Sequence, residues 1–334
     1  MIFDEKIFAI FQNLFGKLAL LECYYYVFMQ KQINRNYPPH LALIAVQLFF
    51  GTFPVVGKYV LQTIPSFALV AFRVGGAALA FVILQSFSSD GLRLEKKSHY
   101  AWFALYSLLG VVLNQMLFMS GLSLTTAANT SLLAVLIPIF ALLVSVLLRL
   151  DTLSGRKIFG VVLAAAGVIY LIDPAKASFS SATTRGDFYI IVNCFFYASY
   201  IAVSQRLIRH YGALKSMAWL FLFGSLITVP LGAYSMRGVD LGNIPILTWL
   251  AVAGIVVFPT ILSYYLNAWA LARVTPSIVA IYIYLQPLIG FVSAVIFLNE
   301  QFSLRLIIAA LLIFAGLFLV TRTPKTNPID LTYP

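Results

Sequence analysis

The chain has 334 residues, of which 61% are hydrophobic and 10% charged, with a mean hydropathy of +0.94; a soluble domain carries roughly 25% charged residues, so the shortfall places this protein in a lipid bilayer. The net charge of +11 would suit nucleic acid in a soluble protein, but the cations sit between apolar runs rather than along one face, and topology accounts for them better. Cys23 and Cys194 are far apart in apolar surroundings, and His40, His99 and His210 all fall in loops, so no disulfide framework, metal site or cofactor site is legible.

Residues 1–37 read as an N-terminal extension. Phe3, Ile7, Ile10, Phe11, Leu14, Leu18 and Leu21 recur at helical spacing, which suits an amphipathic helix in the membrane interface. Gln12, Asn13, Lys17 and Glu22 make a span there expensive; a natural start at Met29, ahead of a short basic leader, is the simpler reading. Ten apolar runs follow, each near the roughly 20 residues a crossing needs: 41–61, 66–86, 100–120, 126–148, 156–173, 187–208, 213–235, 246–270, 276–298 and 303–321. Pro65, Gly212, Pro245 and Pro276 punctuate their ends. Sixteen of the 22 lysines and arginines lie on the side of the N-terminus and three on the other. The positive-inside rule therefore predicts a multi-pass inner (plasma) membrane protein with both termini cytoplasmic.

Polar residues inside the runs are the candidate functional positions, because hydrocarbon penalises them. In the first run FGTFPVVGKYV resembles a phosphate-binding loop, but five residues separate Gly51 from Gly57, Tyr59 follows Lys58, and no strand precedes it. Gln47, Gly51, Pro54 and Lys58 instead recur every three or four residues, making one stripe of a helix kinked at Pro54 that faces protein or a cavity. Close helix packing at the small residues is the competing reading, and Lys58 is near enough to the run's end to reach the interface. Arg73 lies seven residues into the second run, about 10 Å deep at 1.5 Å per residue, with no acid at matching depth. Its partners are then carbonyls, tyrosine oxygens or an anionic group of a substrate, and a purely structural tether is the alternative.

Further along lie Ser107, Asn114 and Gln115 on the third run, Asn193, Tyr197, Tyr200 and Ser204 on the sixth, Thr260, Ser263, Tyr264 and Asn267 on the eighth, and Tyr282, Tyr284, Gln286 and Ser293 on the ninth. Singly, each is an interhelical hydrogen bond; together they would line a neutral, aromatic cavity suited to amino acids, aromatic metabolites or nucleobase-like solutes. Pro138 and Pro287 remove a helix hydrogen bond in mid-run and are the expected bending points. Asp151 and Glu300 fall at helix ends as caps. The sequon at Asn129 is inside a run and carries no meaning.

The second half echoes the first. The run from Leu124 matches that from Arg273 without a gap, pairing Thr126 with Thr275, Pro138 with Pro287, Asp151 with Glu300, Arg156 with Arg305 and Gly167 with Gly316, each 149 residues on. Five helices per half is odd, so the halves would enter the membrane in opposite senses, an inverted-topology repeat of the kind secondary transporters rock around a central site.

These features resemble the EamA family of the drug/metabolite transporter superfamily: the small-residue-rich FFGTFPVVGKYV, the arginine of LVAFRVGGAALA, and two helix pairs with a central proline and an acidic residue 13 positions later. Leu150-Asp151 stands where members of that family often have glutamate. The resemblance spans residues 38–322 and implies an all-α membrane fold of ten helices that exports or exchanges small metabolites. It organises the chain as a first repeat at 38–173, a linker at 174–186, a second repeat at 187–322 and a cytoplasmic tail at 323–334.

The expected function is a transporter, exporter or exchanger, of small metabolites such as amino acids, working by alternating access as a monomer or homodimer. Gln47, Arg73, Asn114, Tyr197, Ser263, Asn267, Tyr282 and Gln286 are expected to bind substrate, and Gly51, Pro54, Lys58, Pro138 and Pro287 to gate. A flippase for lipids or a membrane scaffold is the alternative; an intramembrane enzyme lacks the nucleophile, base and acid pair it would need. With no Asp or Glu in mid-membrane, uniport or exchange is expected rather than proton coupling through a carboxylate.

Overall fold

The computed structural model describes residues 37–88, 90–172, 183–289, 292 and 304–321. Expectations for residues 1–36, Ser293 and Glu300 therefore lie outside the described residues. The chain divides into two units between Leu41 and Ala42; the first is described only at residues 37–41, and the first helix begins at Pro38.

The described residues contain helices and no strand. In chain order they are α1 (Pro38–Val60), α2 (Ser66–Ser86), α3 (Lys97–Leu124), α4 (Ala127–Leu133), α5 (Leu136–Leu147), α6 (Gly155–Ile172), α7 (Thr184–Tyr211), α8 (Ala213–Ser235), α9 (Ile246–Leu271), α10 (Pro276–Ile281) and α11 (Leu304–Thr321). Six of them, α1, α2, α3, α7, α8 and α9, are long and apolar enough to cross a membrane. Pro65 and Pro245, both extended, immediately precede α2 and α9, and Pro276 opens α10. Each supplies the fixed φ and tolerates the missing donor of a first turn. Gly212, at φ +79°, makes the sharp turn from α7 into α8, a conformation glycine adopts without steric cost.

The run at 126–148 is not one helix kinked at Pro138. It breaks between α4 and α5, and Pro138 lies in the first turn of α5. Lacking an N–H, Pro138 cannot donate to the Ala134 carbonyl, which accepts from Ile137 at 3.1 Å instead, so the chain tightens just before the proline. The same thing happens before Pro287: Tyr282–Tyr284 form a 3₁₀ turn between α10 and a helical segment that reaches Ile289.

Two further irregularities are π-helical, Leu108–Leu113 within α3 and Val257–Leu262 within α9. The second contains a proline. Pro259 leaves the Ile255 carbonyl without its helical donor, and the Thr260 hydroxyl donates to that oxygen at 2.8 Å, while the Ser263 hydroxyl joins its own N–H on the Phe258 carbonyl at 3.0 Å.

The 149-residue echo of the sequence reappears in these bounds. The π segments start at 108 and 257, α3 and α9 at 97 and 246, α4 and α10 at 127 and 276, and α6 and α11 cover 155–172 and 304–321. α6 and α11 pack on each other through glycines. A Cβ on Gly160 would lie 2.8 Å from the Gly316 oxygen, and one on Gly167 would lie 3.0 Å from the Ala309 oxygen.

Near the α5–α6 turn, buried Asp151 pairs with Lys157 and accepts from Ser277 at 2.6 Å. It also takes the Thr152 N–H at 2.8 Å; the expected cap of α6 is supplied by Ser154, whose hydroxyl accepts the Lys157 N–H at 3.3 Å, and Asp151 instead ties the turn to Lys157 and Ser277.

Gly160→Ala is expected to lower stability by about 1–3 kcal/mol through overpacking, whereas Gly155→Ala, with open space around it, should be near neutral in the same thermal melt. Lys157→Met should cost roughly 3–5 kcal/mol by stranding Asp151, and adding Asp151→Leu should recover much of that loss. A double variant no more stable than Lys157→Met would contradict this.

Candidate functional site

A cavity of about 100 Å³ opens where α1, α2, α3, α4, α5, α7, α9 and the segment after α10 converge. That is space for several waters or one small solute. Pro54, Arg73, Asn114, Tyr197 and Gln286 line it, as do Gln115, Asn193, Cys194, Thr130 and Tyr264; its apolar wall includes Phe50, Phe53 and Phe118.

Arg73 is only 2% exposed. Its Nε donates to the Thr260 hydroxyl at 3.0 Å, and its guanidinium lies over the Phe53 ring, 4.3 Å from the centroid. The site thus depends on the π-helical turn of α9: Pro259 frees a carbonyl, Thr260 turns its proton toward it, and the hydroxyl oxygen is left to accept from Arg73. The two Nη groups make no hydrogen bond among the described residues, although a guanidinium carries five donors.

The neutral polar groups form a second network. Gln115 donates from Nε2 to the Tyr264 hydroxyl at 3.3 Å, and that hydroxyl donates to Asn114 Oδ1 at 3.2 Å. Asn193 donates to the Asn114 carbonyl at 2.6 Å, and Asn267 to the Tyr197 hydroxyl at 3.4 Å. Gln115 Oε1 is buried with no donor among the described residues. Gln115 and Tyr264 are themselves 149 residues apart, as are Val135 and Tyr284, whose hydroxyl donates to the Val135 carbonyl exposed by the α4–α5 break at 3.0 Å.

Other expected site residues sit behind the lining. Gln47 accepts from Gln286 Nε2 at 2.7 Å. Asn267 reaches the cavity through Tyr197, and Ser263 spends its hydroxyl on its own helix. Tyr282 is buried in the 3₁₀ turn, and Pro138 and Pro287 are near the lining residues Ile137 and Ile283 in sequence without lining the cavity themselves. Gly51 is a packing position: a Cβ there would lie 3.2 Å from the Gln286 oxygen and from Ile289. The stripe of α1 therefore divides, with Pro54 on the cavity and Gly51 and Gln47 against the segment after α10.

Lys58 does not simply reach into the interface. Its Nζ donates to the Thr125 carbonyl at 3.2 Å, and the Thr125 hydroxyl donates to Asp187 Oδ1 at 2.5 Å. Asn129 donates to the same oxygen at 2.9 Å, leaving Asp187 Oδ2 buried without a donor among the described residues. Asp187 lies one turn before the cavity residue Ile190. Sequence reasoning placed this aspartate at the edge of a run and did not single it out. The available signal was its position in the first turn of an otherwise apolar helix, opposite the polar Thr125-Thr126. Thr130, set aside with the sequon, lines the cavity. The aromatic Phe53 carried no sequence signal that would separate it from core.

A helical membrane protein with a buried cationic and amide-lined cavity is the class that this fold and site define. The chain belongs to the EamA-like transporter family, which matches residues 18–172 and again 184–322. It is 20% identical to the "Uncharacterized transporter YyaM" of Bacillus subtilis (strain 168), covering 86% of this chain and 96% of that protein. To an "Uncharacterized transporter" of Archaeoglobus fulgidus it is 27% identical, with 86% and 98% covered. It is also 24% identical to "Protein WALLS ARE THIN 1" of Arabidopsis thaliana, with 84% and 82% covered. A solved crystal structure at 21% identity superposes with a TM-score of 0.68 over 85% of this chain and 96% of its own, which establishes the shared fold.

Thr260→Val should leave the Arg73 Nε without its acceptor and free the Ile255 carbonyl as well. A loss of about 1–3 kcal/mol is expected from stranding such buried groups, read as a lowered melting temperature. Thr260→Ser, which keeps the hydroxyl, should restore most of it.

Proposed function

We propose that this protein carries small water-soluble metabolites across the inner membrane by alternating access, as an exporter or exchanger. Ten spans form two five-helix repeats of opposite topology, with both termini in the cytoplasm. The observation that carries the reading is the cavity itself, at which residues equivalent between the halves, Gln115 and Tyr264, bond to each other. A residue that touches its own equivalent lies on the axis relating the two halves, as at an isologous interface. The crossed contacts of Gly160 with Gly316 and Gly167 with Ala309 support the same relation, and a central site on such an axis is where repeat transporters hold their cargo.

The paired breaks before Pro138 and Pro287 are the bending points of the cycle. A run already divided there can change angle without breaking further helix hydrogen bonds. Lys58, Thr125, Asn129 and Asp187 join α1, the α3–α4 turn and α7 at one end of the bundle, and we assign them to a gate that closes the path on the non-cytoplasmic side. Asp151, Lys157 and Ser277 join the α5–α6 turn to α10 in the same way and serve the cytoplasmic side. The cationic and amide lining favours a water-soluble cargo over a lipid.

Overexpression should raise at least one small metabolite in the medium and lower it in the cells relative to a vector control. If no solute shifts in either compartment, export is ruled out as the activity. In proteoliposomes, exchange of that solute should run without a pH gradient, and a strict requirement for the gradient would show that the transport is proton-coupled.

A further inference from the structure

We infer that the cargo is a small organic anion, a carboxylate on an aromatic or other flat apolar body, with the carboxylate seated on the Nη groups of Arg73. This deepens the carrier reading above and rests on it for the identity of the cavity as the cargo site.

Charge comes first. Arginine stays protonated under all ordinary conditions. Among the described residues that line the cavity, Arg73 is the charged side chain, and no Asp or Glu joins it. The ion pairs among the described residues lie elsewhere, at Lys157–Asp151 and His210–Glu95. The cavity is therefore cationic, and in a medium of low dielectric an uncompensated charge attracts an opposite one far more strongly than in water. A zwitterionic amino acid would answer the guanidinium but bring an ammonium group for which the lining holds no carboxylate. A simple organic acid brings only the charge that is missing.

Geometry narrows the choice further. Thr260 occupies Nε, and Phe53 covers one face of the guanidinium. What remains is the pair of Nη groups, the planar fork that meets the two oxygens of a carboxylate. A structural tether would be expected to satisfy those donors within the protein, and among the described residues it does not. Part of the remaining wall is aromatic, formed by Phe50, Phe53, Phe118, Tyr197 and Tyr264. Phe53 stacks on Phe118 at 5.9 Å, and Phe50 meets the Tyr264 ring edge-on. Such surfaces accept a flat ring.

The test is equilibrium binding of radiolabelled benzoate to the full chain in detergent, with competition by unlabelled benzoate, by the isosteric neutral benzamide and by phenylalanine. Benzoate should bind saturably, and benzamide should compete about tenfold or more weakly, the loss expected when a charge-assisted hydrogen bond becomes a neutral one. Arg73→Gln should abolish benzoate binding, and Arg73→Lys, which keeps the charge without the fork, should weaken it by an intermediate factor. Should Arg73→Gln fail to elute as a folded species, the contrast between benzoate and benzamide on the unaltered protein decides alone. Absence of benzoate binding, equal competition by benzamide, or unchanged binding by folded Arg73→Gln each overturns the inference. Exchange of phenylalanine in proteoliposomes separates the two levels. If phenylalanine is exchanged while benzoate does not bind, the anion assignment falls and the carrier reading stands.

Discussion

A buried guanidinium has to be held by something, and in this protein that requirement reaches back to a proline. Arg73 is cut off from bulk water in the bundle, so its donors need protein partners, cavity water or a ligand. The partner at Nε exists because Pro259 withholds a backbone donor from Ile255, which draws the Thr260 proton and leaves the hydroxyl oxygen to accept. A helix irregularity, a hydroxyl and a charge thus form one unit. The cavity owes its positive character to the part of that unit that the protein leaves unfilled.

The same demand for paired polar groups explains why backbone irregularity gathers around the cavity. The α4–α5 break bares the Val135 carbonyl, and Tyr284 supplies it. The π segments of α3 and α9 precede Asn114 and Ser263 directly, and the side chains that follow them, Asn114, Gln115 and Tyr264, bond across the halves. Departures from α-helix are tolerated in a membrane where protein or a cavity takes up the freed groups. Away from the centre, α6 and α11 are regular, and glycines let their backbones approach.

The end clusters obey a different balance. Asp151 with Lys157 is a buried pair whose charges cancel, tied across the halves by Ser277. Among the described residues Asp187 receives side-chain donors from neutral Thr125 and Asn129, with Lys58 one group removed on the Thr125 carbonyl. A carboxylate held by neutral donors is more easily released than one locked to a lysine. No Asp or Glu lines the cavity among the described residues, yet an acid lies one turn from it.

Composition and periodicity alone determined that the chain is helical and lies in a membrane, because lipid demands long apolar runs and leaves their spacing visible. The gapless match from Leu124 to Arg273 likewise disclosed the duplication, which the helix bounds repeat at the same offset. Arg73, Asn114, Tyr197, Gln286 and Pro54 were legible as cavity residues because polar or helix-breaking groups in an apolar run must be accounted for. Only the tertiary structure decided between a cavity role and a packing role within one stripe, separating Pro54 from Gly51 and Asn114 from Ser263. It also moved the breaks from Pro138 and Pro287 to the turns before them, and brought out Phe53 and Asp187. These facts depend on which neighbour each side chain meets across 60 to 190 residues of sequence, and periodicity along one helix holds no record of the helix opposite.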